Sequence, residues 1–207
     1  MLKIVIADSY DQVSEEAFKI MRQVVEKENP VLGLATGSTP VGLYKKMIAD
    51  HKKNGTSYKK DITYQIENRN TCVMPFNFGL HPAFNCPLEE GKTFDAYHLE
   101  LNQKEVLNEQ EVDVITLDKD ALKKTIIIKN PHSTCTKLTD GIHGIQVEYQ
   151  NYPWLAYWSP YAPFVCIEPW YSHTDFEKNE VPFEKREGTI VLNVNDSWQT
   201  AYSITLF

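Results

Sequence analysis

Glu168 lies near the end of the apolar run Phe164-Val165-Cys166-Ile167-Glu168-Pro169-Trp170. Such a run reads as a buried strand, where an ionised carboxylate is costly unless it is paired or used chemically. Burial of this kind is how enzymes tune a carboxylate into a general base. Its partner by residue type is His81, the titratable group in the apolar stretch Phe78-Gly79-Leu80-His81-Pro82-Ala83-Phe84-Asn85. One carboxylate and one imidazole held by a β scaffold are the minimum set for taking a proton from one atom and giving one to another. Taken singly, His81 reads first as a hydrogen-bonded core residue. Glu168 is balanced between a working base and a strand-end partner for a nearby lysine.

The elements that must position these groups fall into two kinds. The first sixty residues read as β-α-β-α. Lys3–Ala7 is a short apolar strand, and Ser9 with Gln12 has capping-box spacing ahead of Val13, Ala17, Phe18, Met21, Val24 and Val25 at helical intervals. Val31–Ala35 is a second strand, followed by Thr36-Gly37-Ser38-Thr39-Pro40, with Thr39 as N-cap and Pro40 as first helical residue. A second helix runs through Leu43, Tyr44, Met47 and Ile48 to Asn54-Gly55. Beyond about residue 61 helical periodicity gives way to short alternating runs: Thr63–Asn68, Tyr97–Asn102, Thr125–Lys129, Ile142–Tyr149, Trp154–Ser159, Thr189–Asn195 and Ala201–Leu206. Pro30 and Pro40 aside, every proline lies in this part, as do all 4 tryptophans. Many short strands punctuated by turn residues predict an antiparallel sandwich. The boundaries expected are therefore 1–61 and 62–207, with no flexible linker between them.

Composition narrows the function. The formal net charge is -7 and basic residues are scattered, which argues against nucleic acid. No segment approaches a membrane span and no signal-peptide pattern opens the chain, so a cytoplasmic protein without membrane association is expected. The 4 cysteines, Cys72, Cys86, Cys135 and Cys166, show neither a CxxC pair nor ligand-like spacing with histidine. They read as reduced thiols packed as small hydrophobes, and neither a zinc site nor a cysteine nucleophile is expected.

Two resemblances sharpen this. Val31-Leu32-Gly33-Leu34-Ala35-Thr36-Gly37-Ser38-Thr39-Pro40-Val41-Gly42-Leu43-Tyr44 resembles the start of glucosamine-6-phosphate deaminase. The resemblance implies a sugar-phosphate loop in which Gly37, Ser38 and Thr39 meet an anion at a helix N-terminus. It stops near Lys60-Asp61; the catalytic Asp-Glu-Tyr segment of that family does not follow, so deamination is not expected. From about residue 62 the chain resembles the C-terminal part of an aldose 1-epimerase (galactose mutarotase), closest to the LacX-like branch. Gly79-Leu80-His81-Pro82-Ala83-Phe84-Asn85 and Cys166-Ile167-Glu168-Pro169-Trp170-Tyr171 carry it, supported by Tyr152–Ser159 and Lys185-Arg186-Glu187-Gly188.

This second resemblance implies a mainly β, galactose mutarotase-like sandwich, truncated, acting on or binding a hexose. In it Glu168 would take a proton from the C1 hydroxyl and His81 would protonate the ring oxygen, with no metal or organic cofactor. Trp158 and Trp170 would wall the sugar site or simply pack the core, and Asp175 would bond a sugar hydroxyl or cap a surface turn; Arg186 and His173 follow them. Complete epimerases supply a further Arg and His from an N-terminal half of strands, and residues 1–61 hold no matching motif; His51 lies on the polar end of a helix. The order of the two resemblances is that of a gene fusion or an assembly chimera, or of an enzyme presenting a sugar phosphate from Thr36–Thr39 to His81 and Glu168. Three functions are carried forward: an epimerase interconverting hexose anomers, a non-catalytic carbohydrate-binding module, and a deaminase-like sugar-phosphate protein. Unpaired sheet edges suggest a homodimer.

Overall fold

The structure is a computed structural model that describes residues 7–27, 40–118, 120, 122–160, 162–176, 178 and 180–207. The expected strand Val31–Ala35, the turn Gly37-Ser38-Thr39 and, Ala7 apart, the strand Lys3–Ala7 lie outside the described residues. Two compact units form, Met1–Lys60 with Thr205–Phe207, and Asp61–Ile204. No described helix is long and apolar enough to cross a membrane.

In the first unit, α1 (Tyr10–Val25) packs on α2 (Val41–Asn54). Ser9 caps α1 by accepting from the Gln12 N–H at 3.2 Å, and Gln12 Oε1 reaches back to the Asp8 N–H at 2.8 Å, one residue earlier than a standard box. The second helix starts one residue later than expected: Pro40 occupies the cap position without a side-chain cap hydrogen bond, its ring holding φ at -86°. Gly55, at φ 70°, ends it in the left-handed conformation. Gly42 brings the helices together, since a Cβ there would stand 2.1 Å from Ser14 Oγ. Below it Asp50 is buried and held by Arg22, by Asn54 Nδ2 and by the Tyr58 hydroxyl. Val13, expected on the packed stripe, is 50% exposed.

The second unit is mainly β. Its strands are β1 (Lys60–Glu67), β2 (Met74–Phe76), β3 (Ala83–Asn85), β4 (His98–Leu107), β5 (Gln110–Thr116), β6 (Ile126–Lys129), β7 (Cys135–Thr139), β8 (Gly144–Glu148), β9 (Trp154–Trp158), β10 (Phe164–Trp170), β11 (Ile190–Leu192) and β12 (Ser197–Leu206). They form a six-stranded sheet ordered β1-β12-β8-β7-β4-β5, a four-stranded sheet β3-β10-β9-β6 and the pair β11-β2. The antiparallel sandwich expected from the alternating runs is what forms. Each expected run contains a strand, with ends shifted by a few residues.

Residues opposite one another in an antiparallel pair share a face. In the four-stranded sheet Ile167 lies opposite Tyr157 and Val165 opposite Phe84. This face points to the other sheet, because Thr136 Oγ1 on β7 meets the Tyr157 and Tyr149 hydroxyls, each at 2.6 Å. Val165, Ile167, Leu155 and Tyr157 from one sheet and Leu99, Leu138 and Val147 from the other are sealed from solvent. Each such aliphatic side chain stabilises the fold by about 1.5–3 kcal/mol. Cys166, Glu168 and Trp170 therefore lie on the opposite face, paired with Trp158, Ala156 and Trp154. Nothing in the intersheet core requires a carboxylate there.

Candidate active site

Register explains how His81 and Glu168 meet. Strand β3 pairs with β10 at Ala83↔Cys166, and the same spacing recurs upstream at the bridge Gly79↔Trp170. Between them Leu80 N–H donates to Pro169 O at 3.0 Å and Ile167 N–H to Pro82 O at 3.3 Å. The segment Gly79–Pro82 thus continues the ladder, which sets His81 opposite Glu168 on the outer face. His81 Nδ1 lies 2.6 Å from Glu168 Oε2. Ala156 lies opposite Glu168 on the other side.

The two groups differ sharply in exposure. The His81 side chain is 61% exposed and that of Glu168 4%. Burial is the largest influence on Glu168 and raises its proton affinity above that of an ordinary carboxylate; the hydrogen bond and charge of His81, and Trp170, only partly offset it. The Trp170 indole N–H is anchored on Leu80 O at 3.1 Å. A carboxylate held this way binds a proton more readily than one in water, and its partner is an imidazole whose two ring nitrogens can give or take a proton.

The pair opens into a cleft of about 350 Å³ whose walls include His81, Glu168, Trp170, Asn77, Ser172 and Thr174. Trp158 does not line it; its ring stands 5.7 Å from that of His81 and backs the imidazole. Asp175 lies in an adjoining polar pocket of about 390 Å³ with Arg186 and Glu187, and its carboxylate is bonded to Arg186. Asn77, His173 and Thr174 line both spaces. His173 stacks on Phe176 at 4.9 Å and meets Trp154 edge-on at 4.5 Å. Gly37, Ser38 and Thr39 lie outside the described residues.

Sequence reasoning missed Asn77 and Thr174, which sit in loops with no pattern to mark them. It also read Cys166 as simple packing. Cys166 is two residues from Glu168 on one strand and so faces the same way; its Sγ lies 4.0 Å from His81 Nε2. Burial pushes that thiol up to about 12, with the Glu168 charge adding to the effect. Two groups of described residues bring metal-ligating atoms within 4.8 Å of one another: His81 with Cys166 and Glu168, and Glu89 with Asp140 and His143. In the second, the Lys92 ammonium is already seated against Asp140 and 3.1 Å from Glu89 Oε2.

An antiparallel sandwich carrying a buried glutamate and an accessible histidine over an aromatic-walled cleft defines a class of proteins able to perform acid–base chemistry on a small polar molecule. Residues 56–205 match the family described as aldose 1-epimerase, and the chain belongs to that family. Protein LacX of Lactococcus lactis subsp. lactis is 28% identical over 188 residues, covering 74% of this chain and 59% of LacX. A galactose mutarotase-like protein from Lactobacillus casei ATCC 334 superposes with a TM-score of 0.61 at 25% identity, over 71% of this chain and 58% of that one. The first part differs: glucosamine-6-phosphate deaminase of Geobacillus sp. (strain WCH70) is 45% identical over 67 residues, 32% of this chain and 27% of the deaminase. The chain thus spans less than two thirds of each of these relatives.

Proposed function

We propose that this protein interconverts the α and β anomers of a hexose, with Glu168 as base and His81 as acid. The observation that carries the reading is the 2.6 Å contact between His81 Nδ1 and a buried Glu168 at the wall of an open cleft. Carboxylate Glu168 accepts the proton of the C1 hydroxyl, the C1–O bond gains its second pair, and the bond from C1 to the ring oxygen breaks. Imidazolium His81 delivers its proton to that ring oxygen. Rotation about C1–C2 and reversal of the steps return the other anomer, with both groups restored. One base and one acid of separated proton affinity suffice. Trp170 offers an aromatic face to the C–H side of the pyranose, and Asn77 and Thr174 offer hydrogen bonds to its hydroxyls.

Anomer exchange of glucose, galactose and glucose 6-phosphate, followed by NMR, tests the reading. Exchange above the buffer rate is expected from the wild-type chain and not from His81→Ala or Glu168→Gln. A cooperatively folded wild-type chain without excess exchange would sink it. Saturable sugar binding in that same sample would leave the carbohydrate-binding alternative. Glucose 6-phosphate is included because the deaminase-like segment suggests a phosphate site; Ser38→Ala with Thr39→Ala should then weaken its binding and not that of glucose.

A further inference from the structure

We propose that His81, Cys166 and Glu168 bind a thiophilic divalent cation of the zinc class, and that the bound ion disables the acid–base pair. The three donors, an imidazole nitrogen, a thiol sulfur and a carboxylate oxygen, lie within 4.8 Å of one another. Nitrogen, sulfur and oxygen in one cluster match zinc and its borderline neighbours, and match hard ions such as Mg²⁺ poorly. The strand geometry explains the cluster: Cys166 and Glu168 project from one face of β10, and His81 is held against them by the continued β3 ladder. Among the described residues no lysine or arginine is seated in it, in contrast to the Glu89, Asp140 and His143 cluster, which Lys92 fills.

Three protein donors, two of them lining the cleft, leave one ligand position for solvent, the arrangement of ions that remain exchangeable and accessible. Entry is direct, because the His81 side chain is 61% exposed. Zinc bonds of about 2.0–2.3 Å require donors roughly 3.5 Å apart. The imidazole, the exposed member, turns to meet the two donors fixed on the strand. The ion takes the place of the proton shared by His81 Nδ1 and Glu168 Oε2, and binding expels that proton and the Cys166 thiol proton to solvent. No electron moves. With its base and acid both coordinated, the site can no longer exchange protons with a hydroxyl or a ring oxygen. The binding half of the proposal stands on the donor geometry alone; the inhibitory half rests on the anomer-exchange reading.

The test uses the full-length chain stripped with chelator, titrated with Zn²⁺ in a calorimeter and with Co²⁺ in a spectrophotometer. One ion per chain is expected, with a near-ultraviolet sulfur-to-cobalt charge-transfer band that disappears in Cys166→Ser. Zinc affinity should fall at least about tenfold in Cys166→Ser and in His81→Gln, since even outer-shell changes cost that much at zinc sites. Millimolar Mg²⁺ should not compete. Zinc should suppress wild-type anomer exchange reversibly, with chelator restoring it, and should leave Cys166→Ser exchange largely intact. A charge-transfer band that persists in Cys166→Ser, or no uptake at millimolar zinc, would overturn the site. Should Cys166→Ser lack a cooperative melt, Cys166→Ala supplies the same comparison. Zinc uptake as described from a chain with no exchange under chelator would keep the metal site and discard the epimerase reading; exchange without zinc uptake would do the reverse.

Discussion

Two carboxylates withdrawn from solvent, Glu168 and Asp140, have been given opposite surroundings. Asp140 sits in the turn between β7 and β8 with its side chain 4% exposed, as Glu168 has. Its Oδ1 accepts the N–H groups of Ile142 and His143, each at 2.8 Å, and its Oδ2 meets the Lys92 ammonium. Burial is the largest single influence and pushes its proton affinity up. The His143 N–H, Lys92 and the Ile142 N–H together overcome this and hold Asp140 well below the ordinary carboxylate range. Glu168 has the burial without the donors: one imidazole and an indole, and a net rise. A buried carboxylate surrounded by fixed donors is locked in one charge state and organises the chain. One given a single titratable partner at a cleft is left able to change state.

The largest expected effect separates the two in rate. Glu168→Gln keeps shape and removes the proposed base, so anomer exchange should fall by about 10²–10⁴-fold, the usual worth of a positioned acid or base. Asp140→Asn should leave exchange unchanged. The His81→Asn and Glu168→Gln double variant should be little worse than either single one, because the proposed mechanism uses the two groups as a unit. A rate that drops equally in Asp140→Asn would erase the distinction.

Stability should divide the other way. Asp140→Asn weakens two backbone hydrogen bonds and leaves Lys92 facing Glu89 alone, an expected loss of about 1–3 kcal/mol in a denaturant melt. Glu168→Gln, measured under chelator, removes a buried charge and should hold or raise the melting temperature, the common signature of a residue kept for activity rather than for the fold. pH adds the sign. Asp140 has a depressed folded affinity, so its contribution is present above its unfolded pKa of about 3.9 and is lost as pH falls through the lower folded value. Asp140→Asn should therefore flatten the acid limb of the stability profile. Glu168 has a raised folded affinity and so adds stability as pH falls, the opposite slope.

Much of this was legible in the chain, and the remainder has a physical reason for being hidden. The run Phe164–Trp170 announces a strand, and Glu168 within it announces its own cost. The capping pattern at Ser9 and the stop at Gly55 mark their helices. The strands β2, β3, β5 and β7 carried no usable local signal. Two of these are three residues long and exist through their partners. Gln110–Thr116 is acidic and largely exposed on the sheet edge. Strand β4 runs past Asn102 through polar residues because a register shift between Glu100 and Glu105 lets it keep pairing. His81 could be named a candidate by type, but its position opposite Glu168 is a register between segments far apart in sequence. Cys166 was two residues from Glu168 throughout; strand alternation gives its direction, and only the placement of His81 gives that direction a chemical meaning.

The smallest expected effects come from two glycines that serve these corners for different reasons. Gly141, beside Asp140, has φ 88° and open space around a Cβ. It is there for backbone conformation, and Gly141→Ala should cost about 1–2 kcal/mol in stability while leaving exchange untouched. Gly79 is not in the left-handed region, but a Cβ on it would stand 2.9 Å from Trp170 Cδ1. It is there for close approach, and it lets the indole lie along the wall of the cleft. Gly79→Ala must push the ring outward, loosening its bond to Leu80 O and the face proposed to meet a pyranose. Anomer exchange should fall by up to about tenfold in kcat/KM, corresponding to roughly 1.4 kcal/mol, with the loss mainly in KM because the proton-transfer groups stay in place. A loss confined to kcat would instead show that the indole positions Glu168 rather than the sugar. Tryptophan fluorescence of the two alanine variants distinguishes the cases at the outset, since a displaced Trp170 should change emission in Gly79→Ala and not in Gly141→Ala.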